Sequence, residues 1–134
     1  MTGFCTECEI SPRSLFVIGL KDQLLSAAVR LEAALHELSQ NYYHLEIKRV
    51  RSHKDALNKS SHMLLMIRHM FKIGYLNEMK SDLHSAQKAY QTAYSLILEV
   101  KMNDYNVPEF RTVAGYVNYK ICRLDFKLNM ARDA

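Results

Sequence analysis

From Lys21 to Asn58 the chain contains neither glycine nor proline, and its apolar residues recur at helical intervals. Leu24, Ala28, Leu31, Leu35, Leu38, Tyr42 and Leu45 follow one another in alternating steps of four and three. That spacing is the seam of a helix packed lengthwise on another helix. Beyond Leu45 the seam meets Arg49 and Ser52, and the apolar phase moves to Tyr43, Ile47, Val50 and Leu57. One helix through this span, capped near Asp22, would exceed about 50 Å at 1.5 Å per residue. Such a length is unusual in a compact domain and ordinary in a scaffold.

Composition narrows the class further. The 134 residues fit one domain or a piece of a larger one. Four glycines and two prolines are too few for a turn-rich β-sandwich or barrel. Hydrophobic residues at 49% and charged residues at 24% describe a globular chain, not a disordered one. The longest apolar runs, Leu15–Ile18 and Met63–Ile67, are far short of the roughly 18 residues of a membrane span. The start, Met1-Thr2-Gly3-Phe4, has neither the basic nor the apolar region of a secretory signal. Three cysteines without a signal point to a reducing compartment.

Residues 1–20 hold two glycines and one proline around the β-like run Leu15–Ile18, and read as an extended lead-in whose apolar side chains pack on the helices after it. Residues 21–134 read as helices throughout. The polar stretch Asn58–Ser61 supplies a turn and a cap for a second helix carrying Leu64, Ile67, Met70, Phe71 and Gly74. Ser81 and Asp82 then cap a third, with Leu83, Ala86, Tyr90, Ala93, Ile97 and Val100. Asn103 to Pro108 breaks the pattern before a fourth helix, with Phe110, Val113, Val117, Ile121, Leu124 and Leu128 on one side. Tyr116, Tyr119 and Phe126 lie on the other side, as if this helix were buried on two faces. Met130–Ala134 looks like the cap and start of a further helix, so the chain reads as cut at its carboxy terminus. The bare rings of the fourth helix then predict self-association through that helix, or its folding back against the long first helix.

The middle helices fit a degenerate tetratricopeptide pattern: Met70-x2-Ile73-Gly74-x2-Asn77, then Ala86-x3-Tyr90 and Ala93. Gly74 and Ala86 let two antiparallel helices approach closely, while Tyr90 and Ala93 supply a knob and a gap. The expected fold is all-α, with antiparallel helical hairpins in a tetratricopeptide-like α-solenoid; the alternative is a closed four-helix bundle.

Chemistry is scarce. No GxxxxGK[ST], GxGxxG, GxSxG or HExxH motif occurs, and no catalytic, cofactor or metal residue is assigned. Cys5-x-x-Cys8 is half a zinc site without its second half. His69 reads as a packed histidine and Cys122 as an inert small hydrophobe. Glu78 and Asp82, like the other neighbouring acids, read as helix surface. The net charge is +4, spread along the chain, which argues against nucleic acid. Its one dense cluster is Lys48, Arg49, Arg51, His53 and Lys54. Such a cluster is most simply a solvated helix face, and otherwise a contact for an acidic partner or a membrane surface. Lys48, Arg49, Arg51, Lys54, Tyr116 and Tyr119 are the candidate partner contacts.

Specific stretches resemble the foie gras domain. They are Asn41-Tyr42-Tyr43 through Glu46–Lys54 to Leu57-Asn58-Lys59, then Ile67–Ile73, Tyr90–Tyr94 and above all Ala114-Gly115-Tyr116-Val117-Asn118-Tyr119-Lys120-Ile121-Cys122-Arg123-Leu124. The resemblance runs from about Cys5 to Ala134. It implies a helical scaffold within an accessory subunit of the trafficking protein particle (TRAPP) complex, a tether acting in ER–Golgi traffic and autophagy. The implied partners are other TRAPP subunits, with a Rab GTPase and the membrane reached through the complex. The implied location is cytoplasmic, peripheral to early secretory membranes, and the family brings no catalytic residues. The rival reading is an independent tetratricopeptide-like peptide-binding module, which would show a groove lined by Asn77 and Lys80.

Overall fold

The computed structural model describes residues 2–8, 15–19, 24–101 and 107–128. These residues form five helices and no strand: α1 (Thr2–Glu7), α2 (Leu24–Asp55), α3 (Met63–Met79), α4 (Leu83–Glu99) and α5 (Val107–Lys127). The expected cap at Asp22, the break from Asn103 to Asn106 and the helix start at Met130–Ala134 lie outside the described residues. The chain divides into two compact units, residues 1–41 and 42–134.

In the first unit the extended lead-in is only partly extended. Residues 15–19 carry no regular structure, but residues 2–7 are helical. Gly3 is the only breaker in that run and Pro12 lies beyond it, so nothing in the backbone opposes a short helix. Of the described apolar residues of the lead-in, Phe16, Val17 and Ile18 are exposed, while Leu15 is half-buried. Among the described residues of this unit the buried side chains are those of Cys5 and Ala27.

Helix α2 is one unbroken element of 32 residues, about 48 Å long. Its four–three seam is not the packed face that the spacing predicts. Leu24 is 86% exposed, Leu35 56% and Leu38 60%, and Tyr42 and Leu45 are equally bare. A period defines which face is apolar; it does not supply the neighbour that covers it. The second phase does find one. Ile47 and Val50 are buried, and with Tyr43 they pack on Ile73, Leu76 and Ala89.

The α3–α4 hairpin is built by its turn. Lys80 ends α3, Ser81 adopts a left-handed φ of 65°, and Asp82 begins α4. Ser81 N–H donates to Glu78 C=O and Asp82 N–H to Asn77 C=O, the paired bonds of a Schellman closure. The Asp82 carboxylate then accepts the Ser85 N–H at 3.1 Å, satisfying a free donor of the new helix. These bonds, from the Ser85 backbone first and its hydroxyl second, hold the Asp82 carboxyl below its ordinary pKa. At the other end of α3, the Asn58 side chain closes the expected turn by accepting from the Ser60 N–H and hydroxyl. The expected side-chain cap is missing, because His62 occupies that position.

Two hydrophobic clusters result. Ile47, Val50, Ile73, Leu76 and Ala89 join α2 to the hairpin. Ile67, Ala86, Tyr90, Ala93, Leu96 and Ile97 join the hairpin to Val117 and Leu124 of α5. Met70 packs against both. Gly74 sits where α3 meets Tyr90: a Cβ there would lie 2.7 Å from the ring's Cδ1 and Cε1. Ala86, Tyr90 and Ala93 are wholly buried around this approach. Pro108 is accommodated in the first turn of α5, where its missing N–H costs nothing.

Candidate functional site

The basic cluster lies on the second half of α2, and the structure splits it. Lys48, Arg51 and Lys54, at steps of three, face a groove toward α4. Arg49 is turned aside to Glu46 at 3.3 Å, and Lys72 reaches the same carboxylate at 3.6 Å. The groove consists of two clefts of about 320 and 190 Å³ that share Arg51 and Ser85. Lys80 at the hairpin turn and Lys88 on α4 supply the facing cations. Asn77 and Lys80 both line it, as a peptide-binding groove would require, although the buried Asn77 amide is already donating to Ile73 C=O. His53 stacks toward His69 with ring centroids 6.5 Å apart. Burial, then the charges of His53, Arg68 and Lys72, lowers the His69 pKa, so that ring is kept neutral more readily than an exposed histidine.

The α5 tyrosines are elsewhere. Tyr116 is 53% exposed, tilted against Phe71 at 5.7 Å, and lines an apolar cleft of about 560 Å³ with Leu64, Ile67 and Phe110. Tyr119 and Phe126 are exposed outside it. The second buried face expected for this helix is therefore open. At 100° per residue, Leu64, Ile67 and Phe71 occupy the opposite flank of α3 from Ile73 and Asn77. The cationic groove and the tyrosine cleft are thus separate surfaces.

A polar network that the sequence did not disclose links α3, α4 and α5. Glu78, expected on the surface, has a side chain only 6% exposed. Its Oε2 accepts from Tyr90 Oη at 3.0 Å and from Lys120 Nζ at 2.9 Å, and Arg123 stands 3.7 Å from Oε1. Burial pushes the Glu78 pKa up, but the bonds from Lys120 and Tyr90 and the charges of Lys120 and Arg123 outweigh it. The net direction is down. Burial, then donation to Glu78 and the nearness of its charge, pushes the Tyr90 hydroxyl far above its ordinary value. The Lys120 ammonium also sits about 6 Å from the rings of Tyr75 and Tyr90. Asp125, wholly buried, accepts from Gln87 Nε2. One signal existed: Lys120 and Asp125 fall three and eight residues after Val117, on the core face of α5.

Cys5 is buried, Cys8 exposed and Cys122 half-buried, all as thiols. Among the described residues no three His, Cys, Asp or Glu side chains gather as metal ligands, and no helix is long and apolar enough to cross a membrane.

Two separate clefts and a buried polar network between helices are thus the site features of this chain, and known proteins of similar sequence bear on their use. No family model matches the chain. It is 48% identical over 132 residues, 98% of its length, to trafficking protein particle complex subunit 11 of Bos taurus and of Homo sapiens. Over nearly all of its length the chain is similar to a segment of TRAPP subunit 11. The Gallus gallus subunit 11 matches with the same identity and coverage. The chain spans 12% of the length of these subunit 11 relatives.

Proposed function

We propose that the chain is a non-catalytic protein-interaction segment of foie gras type, working within the trafficking protein particle complex. The 48% identity to subunit 11 across nearly the whole chain carries this reading. The two separate cores support a tetratricopeptide-like stack, in which the hairpin is sandwiched between α2 and α5. In this role it contacts other subunits from the cytoplasm, and reaches a Rab GTPase and early secretory membranes through them, in ER–Golgi traffic and autophagy. Affinity purification of the protein in its full natural length tests the reading. TRAPP subunits should co-purify in stoichiometric amounts; an intact, folded protein that brings down none of them would overturn it.

The cationic groove favours a second reading, an independent peptide-binding module. Such a module would bind its peptide with full affinity while co-purifying with no TRAPP subunit.

A further inference from the structure

We infer that the groove between α2 and α4 is a docking site for an acidic peptide segment of another protein. This deepens the assembly reading by giving the chemistry that one partner must present. Lys48, Arg51 and Lys54 span about 9 Å along one wall at 1.5 Å per residue. Lys88, with Lys80 beyond it, lines the other. Among the described residues, Lys48, Arg51 and Lys88 make no ion pair with an acid of this chain.

Asp55 pairs with Lys54, and Glu46 with Arg49 and Lys72. Asp82 lines the groove as a carboxylate near Lys80, and its bond from the Ser85 N–H leaves its charge in place. Lys48, Arg51 and Lys88 outnumber it, so the groove keeps a net positive charge, whose complement is a row of carboxylates. Its apolar lining is Ile47 in one cleft and Ile73, Ala89 and Met70 in the other; the first three are buried, so the half-buried Met70 is the apolar side chain among them with surface to offer a ligand. Concave clefts with cationic walls and a small apolar patch fit a peptide carrying carboxylates beside an aliphatic side chain. A flat lipid surface would meet the rim cations without entering the clefts.

Fluorescence anisotropy on the whole chain, at physiological salt, tests this with a fluorescein-labelled dodecapeptide of repeated Glu-Glu-Leu. Binding should saturate, and Arg51→Glu/Lys88→Glu should weaken it on the order of tenfold or more, the worth of one or more charge-assisted contacts. Arg49→Glu/Arg111→Glu changes the net charge equally, outside the groove, and should leave affinity within about twofold. Circular dichroism melts establish that both variants fold. Equal losses in the two variants, or no saturable binding, would overturn the proposal. So would displacement of the peptide by phosphatidylserine vesicles but not by unlabelled peptide, which would assign the groove to membrane. Retained TRAPP co-purification with failed peptide binding would sink the groove alone. Peptide binding without any TRAPP subunit would sink the assembly reading alone.

Discussion

The α3–α4 hairpin and the first turns of α2 each carry a continuous apolar face, yet one is sealed and the other bare. In the hairpin, Ala86, Tyr90 and Ala93 have no exposed surface; in α2, Leu35 and Leu38 are more than half exposed. Three things distinguish the hairpin. A Schellman turn fixes the reversal, Gly74 admits Tyr90 to the helix surface, and Glu78 ties Tyr90 to Lys120 of α5. The seam of α2 has apolar spacing alone. Local apolar periodicity becomes stability only where specific contacts bring a second surface to it.

The polar bolt should give the largest difference. Lys120→Met leaves the Glu78 carboxylate buried beside Tyr90 and Arg123 without its closest cation, at a cost of about 3 kcal/mol. Acid acts on the same carboxylate. Its folded pKa is below the ordinary one, so its contribution is full above the ordinary carboxylate value and is lost as pH falls through the folded value. Urea titrations at successive acid pH should show wild type losing stability there more steeply than the variant. Parallel pH profiles would mean that Glu78 does not bolt α5 to the hairpin.

Next in size is Gly74→Leu. The added carbon meets a ring that is wholly buried and anchored at its hydroxyl, so overpacking should cost about 2 kcal/mol despite the better helix propensity. Combining it with Tyr90→Leu should recover part of the loss; additive losses in thermal melts would place the clash elsewhere.

Ser81→Gly should act in the opposite direction. Serine occupies a left-handed position that glycine adopts freely, and the exchange should stabilise the hairpin by about 0.5–1 kcal/mol, raising Tm. A lower Tm would show that unfolded-chain entropy outweighs the relief of strain.

The smallest effect belongs to the other region. Leu35→Gln/Leu38→Gln should move Tm scarcely at all, under about 0.5 kcal/mol, because both side chains are more than half exposed. A loss of several kcal/mol would mean that this seam is packed after all.

Much of the helical layout is legible in the sequence for physical reasons. Ser81 and Asp82 announce a turn by their capping chemistry, and Gly74, Ala86 and Tyr90 announce a close helix pair by their sizes at tetratricopeptide spacing. Burial of Glu78 is not legible there, because a carboxylate is drawn inside only by partners 12 and 42 residues away, Tyr90 and Lys120. The groove is half visible. Lys48, Arg51 and Lys54 stand out as a run, but Lys88 joins them only because the hairpin brings α4 alongside. The short helix at residues 2–7 is masked by one glycine that a helix can absorb.

Native-state amide hydrogen exchange on the whole chain compares the two regions most directly. Amides of α4 around Ala86–Ile97 should exchange only through global unfolding, since their side chains form both cores. Those of residues 28–41 in α2 should exchange through local opening at a much lower free energy, because Ala27 is the buried side chain along that first part of the helix. Protection in residues 28–41 equal to that of α4 would contradict the division of the molecule into a sealed hairpin and a bare seam.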